Sequence, residues 1–204
     1  PSMSFSWDFN YPSQRMPVMA RQVVATSQPL ASQAGLQMLA QGGNAIDAAL
    51  AAAITLTVVE PTMNGIGSDA FCILSDADGT LHGLNASGRS PAAWGPERFA
   101  GQPKMPTQGW DAVTVPGCVS AWVTLSKRFG TLPFAELFRP AIGYAREGWL
   151  VPPVVAASWK KAVSVYADQP DWQEAFLRNG AAPRAGELFR FEEQARTLEL
   201  IAAS

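Results

Sequence analysis

The sequence predicts an α+β fold in which helices enclose a small amount of strand. Three observations point there. Ala45 to Val59 is an apolar run too long for an ordinary strand, and six of its first nine residues are alanine. Two short β-type runs, Phe71–Leu74 and Leu81–Leu84, flank the turn residues Asp76-Ala-Asp-Gly79. From Gly117 onward, apolar residues recur at helical spacing between glycine and proline punctuation. The 204 residues suffice for a core of ordinary size, and 48% hydrophobic with 16% charged residues is the balance of a well-packed globular chain.

Taken in order, residues 1–20 are rich in proline and serine with scattered aromatics, so an extended surface arm is expected there. Gln22–Thr26 (QVVAT) reads as a first short strand. Pro29 opens a helix, since a proline in the first turn has no donor to lose, and Gly42-Gly43 closes it. Asn44 then caps the alanine-rich helix, with Asp47 in its first turn. A helix apolar on nearly every side belongs at the centre of the fold. Glu60-Pro61 stops it, because the residue before proline avoids the helical region. Gly65 and Gly67 read as turn glycines at positive φ.

Beyond the hairpin, residues 95–109 form a Gly- and Pro-rich loop. Val113-Thr-Val-Pro-Gly117 leads into a helix through Arg128 closed by Gly130, and Leu132-Pro133 opens another through Glu147 capped by Gly148. Helical segments continue from Val154, with Trp159, Tyr166, Trp172 and Phe176 as their bulky residues. The C-terminal LELIAAS has no capping glycine. Residues 21–204 therefore read as one domain that is incomplete at its C-terminal end.

Several function classes are disfavoured. A net charge of -2 and a pI near 5.4, without a basic run, argue against a nucleic-acid surface. Cys72 and Cys118 are too few for a disulfide framework, and no metal-ligand spacing joins them to the single histidine, His82. No metal or cofactor is expected. Ala45–Val59 is shorter than the ~20 residues of a membrane span and carries Asp47, so no membrane association is expected. The N-terminus lacks a basic head and long apolar core, which favours the cytoplasm.

Gly65-Ile-Gly-Ser-Asp-Ala70 fits the G-x-G-x-x-A fingerprint only in letters. That fingerprint needs a strand before it and a helix after it, and here the order is reversed. No G-x-S-x-G elbow occurs, no paired-carboxylate motif stands out, and every threonine is internal. No catalytic residue is assigned within this chain. Arg89 is the candidate binding residue. It follows the second strand between Gly88 and Ser90-Pro91, where a planar guanidinium can hold a carboxylate through two parallel hydrogen bonds. From the residues alone, a surface ion pair is the alternative.

The succession from ATSQPLASQAGLQMLAQGGNAIDAALAAAITLTVVEP through MNGIGSDAF to GR and PA resembles the N-terminal part of the large subunit of γ-glutamyltransferases. The later VPGCVSAWVTLSKRFGTLPFAELFRPAIGYAREGW resembles the family's next segment, so the resemblance covers roughly residues 20–150. It implies an αββα sandwich of the N-terminal-nucleophile hydrolase type, of which this chain supplies part. It also implies a precursor that cleaves itself into large and small subunits, with the nucleophilic threonine first in the small one. That threonine's own α-amine serves as base, so no histidine is required. The reaction passes through a γ-glutamyl-enzyme, from a donor such as glutathione, to water or an amino acid.

By position, Arg89 matches the family arginine that binds the glutamyl α-carboxylate. The implied partners are the small subunit of the same precursor and a small γ-glutamyl or similar carboxy-acyl amide. Two departures flank the implied pocket: Arg89-Ser90-Pro91 replaces Arg-Glu-Ala-Pro, and Ser68-Asp69 stands within the family's glycine run. They bring this chain closer to the γ-glutamyltransferase-like branch adjoining cephalosporin-type acylases. A related acylase and a non-catalytic scaffold are the alternative readings.

Overall fold

The structure is a computed structural model and describes residues 18–204. The arm expected over residues 1–20 lies outside the described residues except for 18–20, which are irregular and exposed. Helix α1 spans Pro29–Ala40, with the Gln28 side chain accepting from the Leu30 N–H at its start. Its end is a Schellman turn: Gly42 has φ 88°, the Gly43 N–H donates to Met38 O at 2.9 Å, and the Gly42 N–H donates to Leu39 O.

Helix α2, Ala45–Val59, starts in the capping box that the Asn44–Asp47 spacing allows. The Asn44 side chain accepts from Ile46 and Asp47, and the Asp47 carboxylate accepts from the Asn44 N–H at 2.9 Å. As expected for an all-round apolar helix, α2 is central. It packs on α1, on α3 (Cys118–Phe129), on α4 (Arg139–Glu147) and on the 3₁₀ turn Phe134–Phe138. Leu50, Ala51, Ile54, Val58 and Val59 are buried there with Trp122, Leu137, Phe138, Ala141 and Ala145.

Strands β1 (Ala70–Ser75) and β2 (Leu81–Ala86) form the expected antiparallel hairpin, in register from Ala70↔Ala86 to Ser75↔Leu81. One face, carrying Cys72, Leu74, His82 and Leu84, packs on the core, and the other presents Phe71, Ile73 and Leu81. Gly79, at φ 87°, supplies the positive-φ residue of the turn.

Two features depart from the sequence reading. Gln22–Thr26 is not a strand, because no backbone group in it is hydrogen-bonded among the described residues. The helix expected from Leu132 through Glu147 is split into the 3₁₀ turn and α4. Pro140 has no N–H to give to the Glu136 carbonyl, so an α-helix running through it loses a bond.

C-terminal to α4, the chain forms β3 (Trp149–Leu150), α5 (Pro153–Val165), α6 (Pro170–Phe176), β4 (Leu188–Phe189) and α7 (Glu192–Ala202). The β3–β4 ribbon was not anticipated. It closes over the second half of the core, where Trp149 stacks on Trp159 and Phe189 packs edge-on against Trp159 at 4.8 Å. No helix among the described residues is long and apolar enough to cross a membrane.

Candidate functional site

The chain leaves β2 at Ala86, turns at Gly88 (φ 77°) and presents Arg89. A second segment, residues 114–118, crosses it. The Val115 N–H donates to Arg89 O at 2.9 Å, and Thr114 Oγ1 donates to Ser87 O at 3.3 Å. The N–H groups of Gly117 and Cys118 donate to Ser68 O at 3.1 and 3.0 Å, and Ser68 Oγ donates to Gly65 O. One short segment thus ties the loop before β1 to the turn after β2.

The crossing is too close for side chains on the backbones that meet. A Cβ on Gly88 would lie 2.0 Å from Val115 O, and one on Gly117 would lie 2.1 Å from Ala86 O. These two glycines let the crossing segment lie against the turn that leads into Arg89. Gly65 and Gly67 do not behave as expected: neither adopts positive φ, and a Cβ on either meets nothing within 4 Å. Their loop runs from α2 into β1, so it has the wrong order of elements for a phosphate-binding turn.

Between β2 and α3 lies a groove of about 510 Å³, with Asn85, Ser87 and Arg89 on one side and Val115, Ser120 and Thr124 on the other. Ser120 Oγ donates to Gly117 O and Thr124 Oγ1 donates to Ser120 O, both at 2.7 Å. With their protons given to backbone carbonyls, these hydroxyls offer lone pairs to the groove. Neither residue was singled out from the sequence; they line the site only because α3 docks beside β2.

Arg89 is exposed, and its guanidinium has no hydrogen bond or ion pair among the described residues. Arg98 is paired with Asp111, Arg139 with Glu136, and Arg146 with Glu192 and Glu199, whereas Arg178 donates to carbonyl oxygens. Among the described residues the planar fork of Arg89 is therefore unpaired, a geometry that can donate two parallel hydrogen bonds from its N–H groups to a carboxylate.

His82 serves the hairpin. Its Nε2 lies 2.7 Å from Asp76 Oδ2 and its ring sits 5.0 Å from that of Phe129. Burial pushes the Cys118 thiol up to about 11 against a weaker opposing hydrogen bond with Ser68, and burial raises that of Cys72 as well. Both thiols are therefore neutral near pH 7–8 and poor nucleophiles. Cys118 should resist iodoacetamide at pH 8 in the folded protein and react on unfolding, as intact-mass analysis would read; rapid alkylation of folded protein would contradict this.

The model of the γ-glutamyltranspeptidase family matches residues 31–204. The chain belongs to that family. It is 38% identical over 184 residues to the glutathione hydrolase-like YwrD proenzyme of Bacillus subtilis (strain 168), covering 89% of this chain and 35% of that protein. Among solved structures, cephalosporin acylase from Bacillus halodurans matches at 46% identity and a TM-score of 0.87, over 99% of this chain and 39% of that one. Helicobacter pylori γ-glutamyltranspeptidase matches at 29% identity and a TM-score of 0.86, over 93% of this chain and 56% of that one.

The α+β fold expected from the sequence is that of these N-terminal-nucleophile hydrolases. The chain spans about a third of the length of the curated relatives it matches. Those relatives include proenzymes, in keeping with a processed heterodimer as the family's assembled form.

Proposed function

We propose that this chain is the large-subunit part of a self-processing γ-glutamyltransferase-like hydrolase, and that Arg89 clamps the carboxylate of the acyl group. The observation that carries the reading is the guanidinium of Arg89, unpaired among the described residues and set beside a backbone crossing that two glycines and the Val115 hydrogen bond hold close. In this scheme the partner chain supplies an N-terminal threonine whose α-amine takes the hydroxyl proton as the oxygen attacks the amide carbonyl. The amine leaves with that proton, the acyl group stays on the threonine as an ester, and water or an amino acid then displaces it. Arg89 takes no part in proton transfer. It fixes the far end of the acyl chain and so sets the distance from carboxylate to scissile bond.

Arg89→Lys in the full-length precursor tests the clamp. Lysine keeps the charge and loses the planar fork, so KM for the acyl donor should rise about tenfold or more, while self-cleavage still releases a chain beginning with threonine. An unchanged KM would make Arg89 structural, and mass spectrometry of the purified protein reads the cleavage independently.

A second reading has its own support. The 46% identity to a cephalosporin acylase and the Ser68-Asp69 and Ser90-Pro91 departures beside the groove favour another carboxy-acyl amide as donor. Activity on glutaryl-p-nitroanilide without activity on γ-glutamyl-p-nitroanilide would establish that reading at the expense of the first.

A further inference from the structure

We infer that the cleft between Trp110 and the Tyr166–Trp172 pair is a subsite for a planar aromatic group on the amine side of the donor amide. The inference rests on the reading of Arg89 as the clamp for the acyl end. Trp110 is 86% exposed, yet its backbone is pinned. Gly109, at φ 77°, leads into the 3₁₀ turn Trp110–Ala112, and Arg98 donates twice to Asp111 Oδ1, at 2.6 and 2.9 Å. A tryptophan presented to solvent on a tied loop is placed for a contact.

Across the cleft stands a wall of rings. Tyr166 and Trp172 lie 5.0 Å apart, Trp172 stacks on Phe176 at 5.6 Å, and Phe176 meets the buried Trp159 at 6.1 Å. This relay anchors the wall to the core, so a ligand has little side-chain ordering to supply. The space between loop and wall is about 500 Å³, and its polar lining includes Thr107, Gln108 and Gln169. No charged side chain among the described residues lines it. Such a cleft favours a flat, uncharged group between rings over a carboxylate, which would lose its hydration without a counter-charge.

One extended segment ties the cleft to the clamp. Val113 (φ -100°, ψ 123°) lines the cleft, whereas Val115 lines the Arg89 groove and donates to Arg89 O. Two residues of extended chain span about 7 Å, so the cleft opens within one short acyl chain of the clamp. With the carboxylate on Arg89 and the scissile amide between the two sites, the departing amine has its substituent in the cleft.

The test uses the full-length processed protein with Trp110→Ala and Trp110→Phe, changes at an exposed position that should leave folding intact. The donors are γ-glutamyl-aminomethylcoumarin, with a bicyclic aromatic amine, and γ-glutamyl methylamide; the glutaryl pair replaces them if only that acyl group is accepted. Trp110→Ala should raise KM for the coumarin donor at least about tenfold and leave that for the methylamide within about twofold. Trp110→Phe should recover most of the loss. Arg89→Lys should raise both values, which separates clamp from cleft. Free aminomethylcoumarin, followed by fluorescence anisotropy, should bind the wild type and bind Trp110→Ala at least about tenfold more weakly. That measurement needs no turnover, so an inactive protein that still binds the amine through Trp110 would overturn the hydrolase reading and leave the aromatic site standing. An unchanged KM for the coumarin donor, equal rises for both donors, or no binding to the wild type would overturn the inference.

Discussion

Gly88→Ala should lower kcat/KM for the acyl donor by at least about thirtyfold, chiefly through KM, and destabilise the protein by about 2–4 kcal/mol. Two constraints meet at this residue. Its φ of 77° is strained for any residue with a Cβ, and that Cβ would lie 2.0 Å from the Val115 carbonyl oxygen. The crossing segment must then move away, breaking the bond from the Val115 N–H to Arg89 O and releasing the turn that aims Arg89. Gly79→Ala is the control. Gly79 has φ 87°, but a Cβ there meets nothing within 4 Å, so it should cost only about 1–2 kcal/mol and leave KM alone. Steady-state kinetics and thermal unfolding of both variants read the difference. Equal behaviour would mean that the crossing does not constrain Arg89.

Features encoded within a few residues were legible in the sequence. Asn44 and Asp47 sit three apart ahead of an apolar run, and the structure forms the capping box there. The Asp76–Gly79 turn between two short β-type runs gives the hairpin, and Gly42, Gly130 and Gly148 mark helix ends. Pairings made at long range left no local signal. The two-residue strands β3 and β4 are joined across nearly forty residues, too short to carry a periodic pattern. Gln22–Thr26 shows the reverse case, in which strand propensity is present and a pairing partner is not among the described residues.

The site divides the same way. Arg89 could be chosen from its flanking glycine and proline, and the family resemblance gave it a role. The crossing that positions it joins Ser68, Arg89 and Val115–Cys118, and no spacing along the chain announces that meeting. Gly65 and Gly67 look like the shaping glycines, yet Gly88 and Gly117 are the ones whose missing Cβ atoms the packing requires.

Asp47→Ala should destabilise the protein by about 3–5 kcal/mol in chemical denaturation of the full-length chain. Asp47 is fully buried and does more than cap α2. Besides the Asn44 N–H, its carboxylate accepts from the N–H of Thr131 at 3.1 Å and of Leu132 at 3.3 Å, more than eighty residues along the chain. Alanine would remove the acceptor that the Asn44, Thr131 and Leu132 N–H groups share at a fully buried position, so three backbone donors lose their protein partner at once. Asn44 reinforces the joint, since its Nδ2 donates to Phe129 O and Thr131 Oγ1. Asp47→Asn keeps the shape and one acceptor while turning an amide N–H₂ toward donors, so it should fall between wild type and alanine. Because this joint holds the α3–α4 connection and lies outside the groove, the folded fraction of either variant should retain the wild-type KM. A raised KM with unchanged stability would place Asp47 in substrate binding instead of in the scaffold.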